Sequence, residues 1–169
     1  TDGDLDLKLY DAAFTLIQWA ATVVPSDAIT GVLPDGLHFW RVLARDNAGN
    51  VSAFSASRTF TTDTTPPSVP VLAAPPDAAL LATSTVALDW GDSADATSGV
   101  ANYDVQVAAD AGFTVIQWAA TVVPSDATTG ALPDGLHFWR VLARDNAGNV
   151  SAFSAARSFT TDTVGPSVP

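Results

Sequence analysis

The fold is decided by the stretch LPDGLHFWRVLARDNAGNVS, which occupies residues 132–151. Its Pro-Asp-Gly is a turn signal, because proline sets φ and glycine accepts positive φ. Strict alternation follows, with one face made of His137, Trp139, Val141 and Ala143 and the other of Phe138, Arg140, Leu142 and Arg144. The segment DNAGN at 145–149 is a second turn signal, since Asn and Gly tolerate left-handed conformations. The stretch therefore predicts a long β-strand between two tight turns, with the first face turned towards a core.

The same stretch occurs again, unchanged, as residues 33–52, and the repeat extends well beyond it. Residues 14–70 recur as residues 113–169, at a constant spacing of 99 residues. The copies differ only by exchanges of small or apolar residues, namely Leu16/Val115, Ile29/Thr128, Val32/Ala131, Ser57/Ala156, Thr59/Ser158, Thr65/Val164 and Pro66/Gly165. Both copies must therefore form the same fold, and a period of this length is that of a whole domain.

Shorter strands are predicted on either side of the long one. They begin near Val71, cover residues 84–90, 103–107, 115–122 and 127–132, and end with a strand through Phe153 and Phe159 to Asp162. The sequence shows no helical period. About seven short strands in a unit of this size are typical of an antiparallel two-sheet sandwich. We therefore predict an all-β chain of tandem immunoglobulin-like β-sandwiches.

The first of the two units is predicted to be incomplete. A linker with Pro66, Pro67 and Pro70 separates residues 1–65 from residues 66–169, and residues 70–98 have no counterpart in the first unit. The missing counterparts include about five buried apolar residues. At roughly 2 to 3 kcal/mol each, their absence lowers the free energy of unfolding of the first unit by about 10 to 15 kcal/mol. Two explanations stay open. Either the chain is a cut from a longer array, or a neighbouring copy supplies the missing strands, which would build an open polymer.

Composition narrows the classes of partner. The net charge of −11 comes from 18 acidic residues, all of them Asp, against seven Lys and Arg. This charge argues against nucleic acid, and no apolar run approaches the ~18 residues of a membrane span, so we expect no membrane insertion. The absence of Cys removes disulfides and thiol chemistry. Asp without Glu is typical of turns and strands, because Asp bonds locally to the backbone.

Five motifs taken together carry a family resemblance: LDW at 88–90, SGV at 98–100 with YDVQV at 103–107, LPDG at 132–135 with FWRV at 138–141, DNAGNVS at 145–151, and DTTPP at 63–67. The combination resembles fibronectin type III and related bacterial immunoglobulin-like repeats. That family usually has Tyr at the positions of His38 and His137. The resemblance implies an extracellular or cell-surface module that serves as a spacer, an adhesin stalk or an accessory domain of an extracellular hydrolase.

Calcium is the ion that the sequence suggests, and no other cofactor is expected. Asp92 and Asp95 lie in the loop 91–98, and oxygen-rich loops of this kind hold calcium in other proteins. The alternating Asp2, Asp4 and Asp6 form a second candidate. The competing interpretation is that these are solvated turn residues, because the loop lacks the regular carboxylate spacing of a calcium loop.

Catalysis is not expected from this chain. His38 and His137 are the only histidines, one in each copy, and we interpret them as strand-start residues that bond to the backbone. No Ser/His/Asp arrangement, phosphate-binding glycine loop or pair of acids for glycoside hydrolysis is evident. A nearly identical repeat would also duplicate any active site. We predict no enzyme activity.

The aromatic residues are candidates for surface contacts. Trp19 and Trp118 either stack on sugar rings or serve a core or interface role, whereas Trp40 and Trp139 share a face with core residues. An assembly surface is predicted from the outward apolar residues of the long strand together with these two tryptophans, namely Phe39, Leu43, Phe138, Leu142, Trp19 and Trp118.

The sequence therefore favours a structural repeat of an extracellular filament or surface fibre, with copies of itself or neighbouring repeats as partners. Two alternatives remain: a carbohydrate-binding or spacer module of a secreted enzyme, and an adhesin stalk stiffened by calcium.

Overall fold

A computed structural model describes residues 4–11, 15–22 and 30–168. The chain divides into two compact units, Thr1–Thr64 and Thr65–Pro169. The described residues contain strands and turns, and they include no helix long and apolar enough to cross a membrane.

The first unit is built on one antiparallel sheet of four strands. In chain order these are β1 (Asp4–Tyr10), β2 (Leu16–Thr22), β3 (Gly36–Arg45) and β4 (Arg58–Thr62). Their order in the sheet is β2-β1-β3-β4, so the long strand β3 lies between β1 and β4. Within the described residues of this unit the structure assigns this one sheet, and the predicted incompleteness stays a prediction.

The second unit is a sandwich of two sheets. Its strands are β5 (Val71–Ala74), β6 (Ala79–Leu81), β7 (Ala87–Gly91), β8 (Val100–Ala108), β9 (Ile116–Val122), β10 (Asp126–Thr128), β11 (Gly135–Asp145) and β12 (Arg157–Thr161). The smaller sheet has the order β10-β7-β5 and the larger one β6-β12-β11-β8-β9. The predicted all-β sandwich is confirmed.

The core of the second unit lies between these sheets. From the larger sheet, Trp139, Val141 and Phe159 are completely buried, and from the smaller sheet Leu88 and Trp90 meet them in the same cluster. The Trp90 ring meets the ring of Tyr103 edge-on, with centroids 5.5 Å apart, a favourable aromatic geometry. The predicted inward face of the long strand is confirmed, because His137, Trp139, Val141 and Ala143 are all buried.

At the start of the second unit the chain crosses from the smaller sheet, which contains β5, to the larger sheet, which contains β6. The sequence analysis missed this crossing. Pro75 and Pro76 follow β5 and lack N–H donors, so antiparallel pairing with β7 cannot continue. The chain then forms β6, which pairs in parallel with β12. The Asp77 carboxylate fixes the crossing by accepting hydrogen bonds from the Ser158 N–H at 2.7 Å and the Ser158 hydroxyl at 3.0 Å.

The last strand is shorter than predicted. It begins at Arg157, so Phe153 lies outside it. Before Arg157, the chain runs beside β11 through serine hydroxyls: the Ser151 Oγ accepts the N–H of Ala143 at 2.9 Å, and the Ser154 Oγ accepts the N–H of Val141 at 3.1 Å. The step from Ser151 to Ser154 covers three residues, whereas the matching step from Ala143 to Val141 covers two. This mismatch interrupts the regular pairing of a β-strand.

Matched phenylalanines of the two copies should differ in their effect on stability. Phe159 is 0% exposed, whereas its counterpart Phe60 is 36% exposed. We expect Phe159→Ala to destabilise the second unit by about 3 to 5 kcal/mol, because it leaves a cavity in a closed core. Phe60→Ala should cost less than half as much in the first unit. Hydrogen exchange of β11 and β3 measures the two costs separately, and equal costs would contradict the difference in packing.

Acid should destabilise the second unit through Asp77. The Ser158 N–H and then the Ser158 hydroxyl hold the pKa of this carboxyl below its ordinary value of 3.8. Its contribution to stability is therefore complete above 3.8 and is lost as the pH falls through the folded-state pKa. Denaturant unfolding between about pH 5 and pH 2 should show a shallower loss of stability in Asp77→Ala than in the wild type. An unchanged slope would show that this carboxylate is not involved.

Candidate functional site

The second unit contains a buried polar corner at the start of β11. His137 is 1% exposed, and its Nε2 lies 3.0 Å from the carbonyl oxygen of Pro133 and 2.9 Å from the Thr161 hydroxyl oxygen. The Thr161 hydroxyl donates to the same carbonyl at 2.8 Å. Because that hydroxyl proton is used, the Thr161 oxygen is free to accept from Nε2–H. The corner thus connects β11 and the end of β12 to the turn that precedes β11.

The other face of the imidazole is also occupied. Nδ1 lies 2.6 Å from the side-chain oxygen of Gln117, and the ring packs against Phe159 with centroids 5.2 Å apart. Both nitrogens therefore have polar neighbours inside the protein. A histidine held in this way has a structural role, because neither nitrogen faces a cleft from which it could reach a substrate.

The first unit repeats the corner. His38 is 1% exposed, and its Nε2 lies 3.0 Å from the carbonyl oxygen of Pro34 and 2.8 Å from the hydroxyl oxygen of Thr62. Both histidines thus bond to a carbonyl four residues upstream. The predicted role as strand-start residues that bond to the backbone is confirmed. The bond resembles the tyrosine corner of immunoglobulin-like sandwiches, in which a side chain bonds to the backbone a few residues upstream.

The two predicted calcium ligands have different surroundings. Asp95 is half-buried, and its Oδ1 accepts the N–H groups of Ser98 and Gly99, each at 2.8 Å, so the carboxylate closes its own loop. Asp92 is exposed. Of the second candidate set, Asp2 and the side chains of Asp4 and Asp6 lie outside the described residues. Calcium binding stays a prediction.

The turn that follows β11 also uses its carboxylate internally. Asp145 is buried, and it accepts the backbone N–H and the side-chain Nδ2 of Asn149, each at 2.8 Å. Burial alone would raise the pKa of Asp145, but the hydrogen bonds from Asn149, Gly148 and Ala147 together outweigh it and hold the pKa below 3.8. Gly148 supplies the positive φ of 97° that the turn needs. This carboxylate acts as a turn lock.

A second feature is a groove of about 480 Å³ on the outward face of the larger sheet. Polar groups of Asp104, Gln106 and Thr121 line it, together with Leu142 and Phe153. Beside it, the Arg140 guanidinium lies between two aromatic rings, 4.0 Å from the centroid of Phe113 and 3.8 Å from that of Phe153. The guanidinium also donates to the Gln106 side-chain oxygen from Nε at 2.9 Å and from Nη2 at 2.8 Å. Two cation–π contacts and two hydrogen bonds thus hold the Arg140 guanidinium in place.

Two of the predicted assembly residues, Leu142 and Trp118, are partly or fully covered by neighbouring residues. Leu142 lies on the outward face as predicted, in the wall of the groove, but it is only 8% exposed because its neighbours cover it. Trp118 is partly buried, packs on the core and lies close to Gly130. These contacts favour the core interpretation of Trp118, and its role stays a prediction.

The remaining assembly residues keep part of their surface. Phe39, Leu43 and Phe138 are half-buried, and the side chain of Trp19 lies outside the described residues. An assembly role for this set stays a prediction. The sequence analysis missed the cation and aromatic stack, although the pairing of Arg140 with the aromatic residues on either side of it could have signalled a cation–π contact.

Removal of the Thr161 hydroxyl tests the buried corner. We expect Thr161→Val to destabilise the second unit by about 1 to 3 kcal/mol, because the Pro133 carbonyl and the His137 Nε2 both lose a buried partner. Thr160→Val, at the neighbouring and less buried position, is the matched control and should be close to neutral. Denaturant unfolding measures both, and equal effects would argue against a role of the hydroxyl.

The amino-acid sequence is similar to segments of several bacterial enzymes. No family model matches the chain. Exoglucanase B of Cellulomonas fimi is 39% identical over 168 residues, which cover 95% of this chain and 15% of that protein. Endoglucanase B of the same species is 37% identical over 148 residues, which cover 84% and 14%. Chitinase A1 of Niallia circulans is 34% identical over 148 residues, which cover 83% and 20%. The chain thus spans no more than a fifth of these relatives.

Solved structures show the same fold at low identity. Domains A168–A170 of titin align with a TM-score of 0.56 at 17% identity, covering 95% of this chain and 55% of that one. The FN1–FN3 domains of chicken CNTN1 align with a TM-score of 0.51 at 16% identity, covering 95% and 57%. The sheet order, the corner at the start of β11 and these likenesses agree with the resemblance read from the motifs. The chain has the fibronectin type III-like, immunoglobulin-like β-sandwich fold.

Proposed function

We propose that the chain is a non-catalytic spacer module of a secreted carbohydrate-active enzyme. One observation carries the proposal. The same segment is shared, at 34% to 39% identity, with proteins named as an exoglucanase, an endoglucanase and a chitinase. A segment common to enzymes with different names is not the part that sets their activities. Since it fills only a small share of each protein, it is best understood as an accessory unit.

The chemistry of the aspartates supports this proposal. Glycoside hydrolysis by the usual route needs one carboxylic acid whose pKa is raised and a second carboxylate beside it. In the described part of the chain the carboxyls with a shifted pKa, those of Asp46, Asp77, Asp110 and Asp145, are all shifted downwards. Hydrogen bonds from nearby loop and strand residues lower them. They act as structural acceptors and are unsuited to donate a proton.

An extracellular location is part of the proposal. The chain contains no Cys that oxidation could affect, its surface is strongly acidic, and its relatives are named for the breakdown of polysaccharides. The filament, surface-fibre and adhesin interpretations made from the sequence find no support in these relatives. The alternative made from the sequence, a module of a secreted enzyme, is the one that they support.

Carbohydrate binding is a second candidate, and the outward groove favours it. The groove offers a carboxylate, an amide and a hydroxyl beside the ring of Phe153. Sugar ligands are bound by such combinations of hydrogen-bonding groups and aromatic faces. Against it, the amide of Gln106 already accepts from Arg140, and Asp104 already pairs with Arg144 at 3.1 Å. Spacer function therefore ranks first.

A binding and activity assay separates the two candidates. As a spacer, the purified chain should release no reducing sugar from soluble β-glucan or chitin oligosaccharides, and it should stay in solution when mixed with insoluble cellulose or chitin. Depletion from solution would favour carbohydrate binding. In that case Gln106→Ala, in the groove, should abolish it, whereas Thr160→Ala, outside the groove lining, should not. Release of sugar at a rate that survives further purification would overturn the proposal.

A further inference from the structure

The second unit has one edge strand that is longer than the others. Its two sheets end in four edge strands, of which β5 has four residues and β6 and β10 have three each, whereas β9 has seven. Among the described residues, β9 pairs with β8 on one side and with no strand on the other. Edge strands are kept from pairing with other molecules by short length, charge or proline. The edge of β9 lacks the first of these protections.

The edge of β9 also lacks charge and proline. Residues 111–125 contain no charged residue, although the chain has a net charge of −11, and their one proline follows β9. Large apolar residues at both ends of the strand are exposed, with 42% of Ile116 and 74% of Val123 open to water. Ala119 and Ala120 at its middle are small, so another strand can approach closely. The edge therefore fits a further β-strand.

The direction of the backbone groups on β9 follows from the neighbouring strands. Val141 of β11 lies opposite Val105 of β8, but its N–H donates to the Ser154 Oγ at 3.1 Å and its carbonyl oxygen accepts from the Ser154 N–H at 2.8 Å. The backbone groups of Val141 thus point away from β8. Opposite residues of an antiparallel pair direct their backbone groups alike, either towards each other or both away. Val105 therefore directs its own backbone groups to β9, where Ala120 lies opposite.

The two neighbours of Ala120 have the reverse orientation. Because backbone groups alternate along a strand, the N–H and C=O groups of Ala119 and Thr121 point outwards from the sheet. Both residues are exposed, and the hydroxyl of Thr121 donates to the Asp104 carboxylate of β8. The edge thus presents the donors and acceptors of Ala119 and Thr121 to a further strand.

We propose that two copies of the chain associate through their β9 strands, which pair antiparallel with Ala120 at the centre. In this register Ala119 of each copy lies opposite Thr121 of the other, so the outward N–H and C=O groups of each such pair bond to one another. At the adjoining positions Trp118 lies opposite Val122, and Ala120 lies opposite the Ala120 of the other copy. The larger sheets of two second units thereby join into one continuous sheet.

A second copy suits this edge because the edge is complementary to itself. The register matches donors with acceptors, small residues with small residues and apolar residues with apolar residues. Such a contact uses the same surface on both molecules and therefore closes as a dimer. The negative charge of the two copies opposes association, but none of it lies on residues 111–125, so screening by salt favours the dimer.

Hydrogen exchange of the full chain at increasing protein concentration tests the dimer residue by residue. The N–H groups of Ala119 and Thr121 should exchange at least about tenfold more slowly in concentrated than in dilute protein, because pairing protects them. The N–H of Ala120 is directed to β8 in both states and is the internal control. Sedimentation should show a monomer and a dimer in equilibrium, with more dimer at about 0.5 M than at about 0.05 M salt.

Two double variants test the register. Ala119→Lys with Thr121→Lys places like charges opposite each other across the interface and should weaken association by at least about tenfold. Ala119→Asp with Thr121→Lys places opposite charges there and should preserve the dimer. Both positions are exposed, so the second unit should still fold, and unchanged exchange in β11 verifies this.

A chain that stays monomeric up to about 1 mM would overturn the proposal. Association without slower exchange at Ala119 and Thr121, or equal effects of the two double variants, would show that the contact lies elsewhere. Species larger than a dimer would also contradict it, because a contact of β9 with β9 closes. None of these results bears on the spacer function, which rests on the relatives and the carboxylates.

Discussion

The packing of β11 against β7 is the interaction on which the second unit depends. Trp139 and Val141 from the larger sheet meet Leu88 and Trp90 from the smaller one, and all four are almost completely excluded from water. Burial of this kind supplies the main favourable free energy of a small domain. The same strand sequence in the first unit is half-buried, which shows that the sequence of the strand does not by itself determine its environment.

Around that core, polar side chains determine how the strands end and where the chain turns. Asp77 holds the crossing between the sheets, Asp95 closes the loop before β8, and Asp145 locks the turn after β11. The histidine corner does the same at the start of β11. In an acidic chain whose carboxylates are used in this way, negative charge contributes to local structure as well as to solubility. This use of carboxylates is consistent with the non-catalytic role proposed above.

On the outward face of the larger sheet, charged and aromatic side chains contact one another. Its strands carry a cation held between aromatic rings, and a salt bridge links Arg144 to Asp104. In the first unit Arg41 takes a similar position, 3.9 Å from the centroid of the Phe54 ring. Because these contacts involve exposed or partly exposed groups, they contribute less to stability than the core, but they define the shape of the surface.

The sequence by itself determined the repeat, the all-β class, the two faces of the long strand and the histidine bonds to the backbone, because these follow from alternation and turn chemistry within a few residues. Only the tertiary structure decided the parallel pairing of β6 with β12, the serine-mediated path before β12, the burial of Leu142 and the partial burial of Trp118. Each of these depends on groups distant in the sequence. The clearest case is Trp40 and Trp139, which have identical neighbours along the strand but different exposure: Trp40 is half-buried, whereas Trp139 is completely buried in a core to which β7 contributes Leu88 and Trp90.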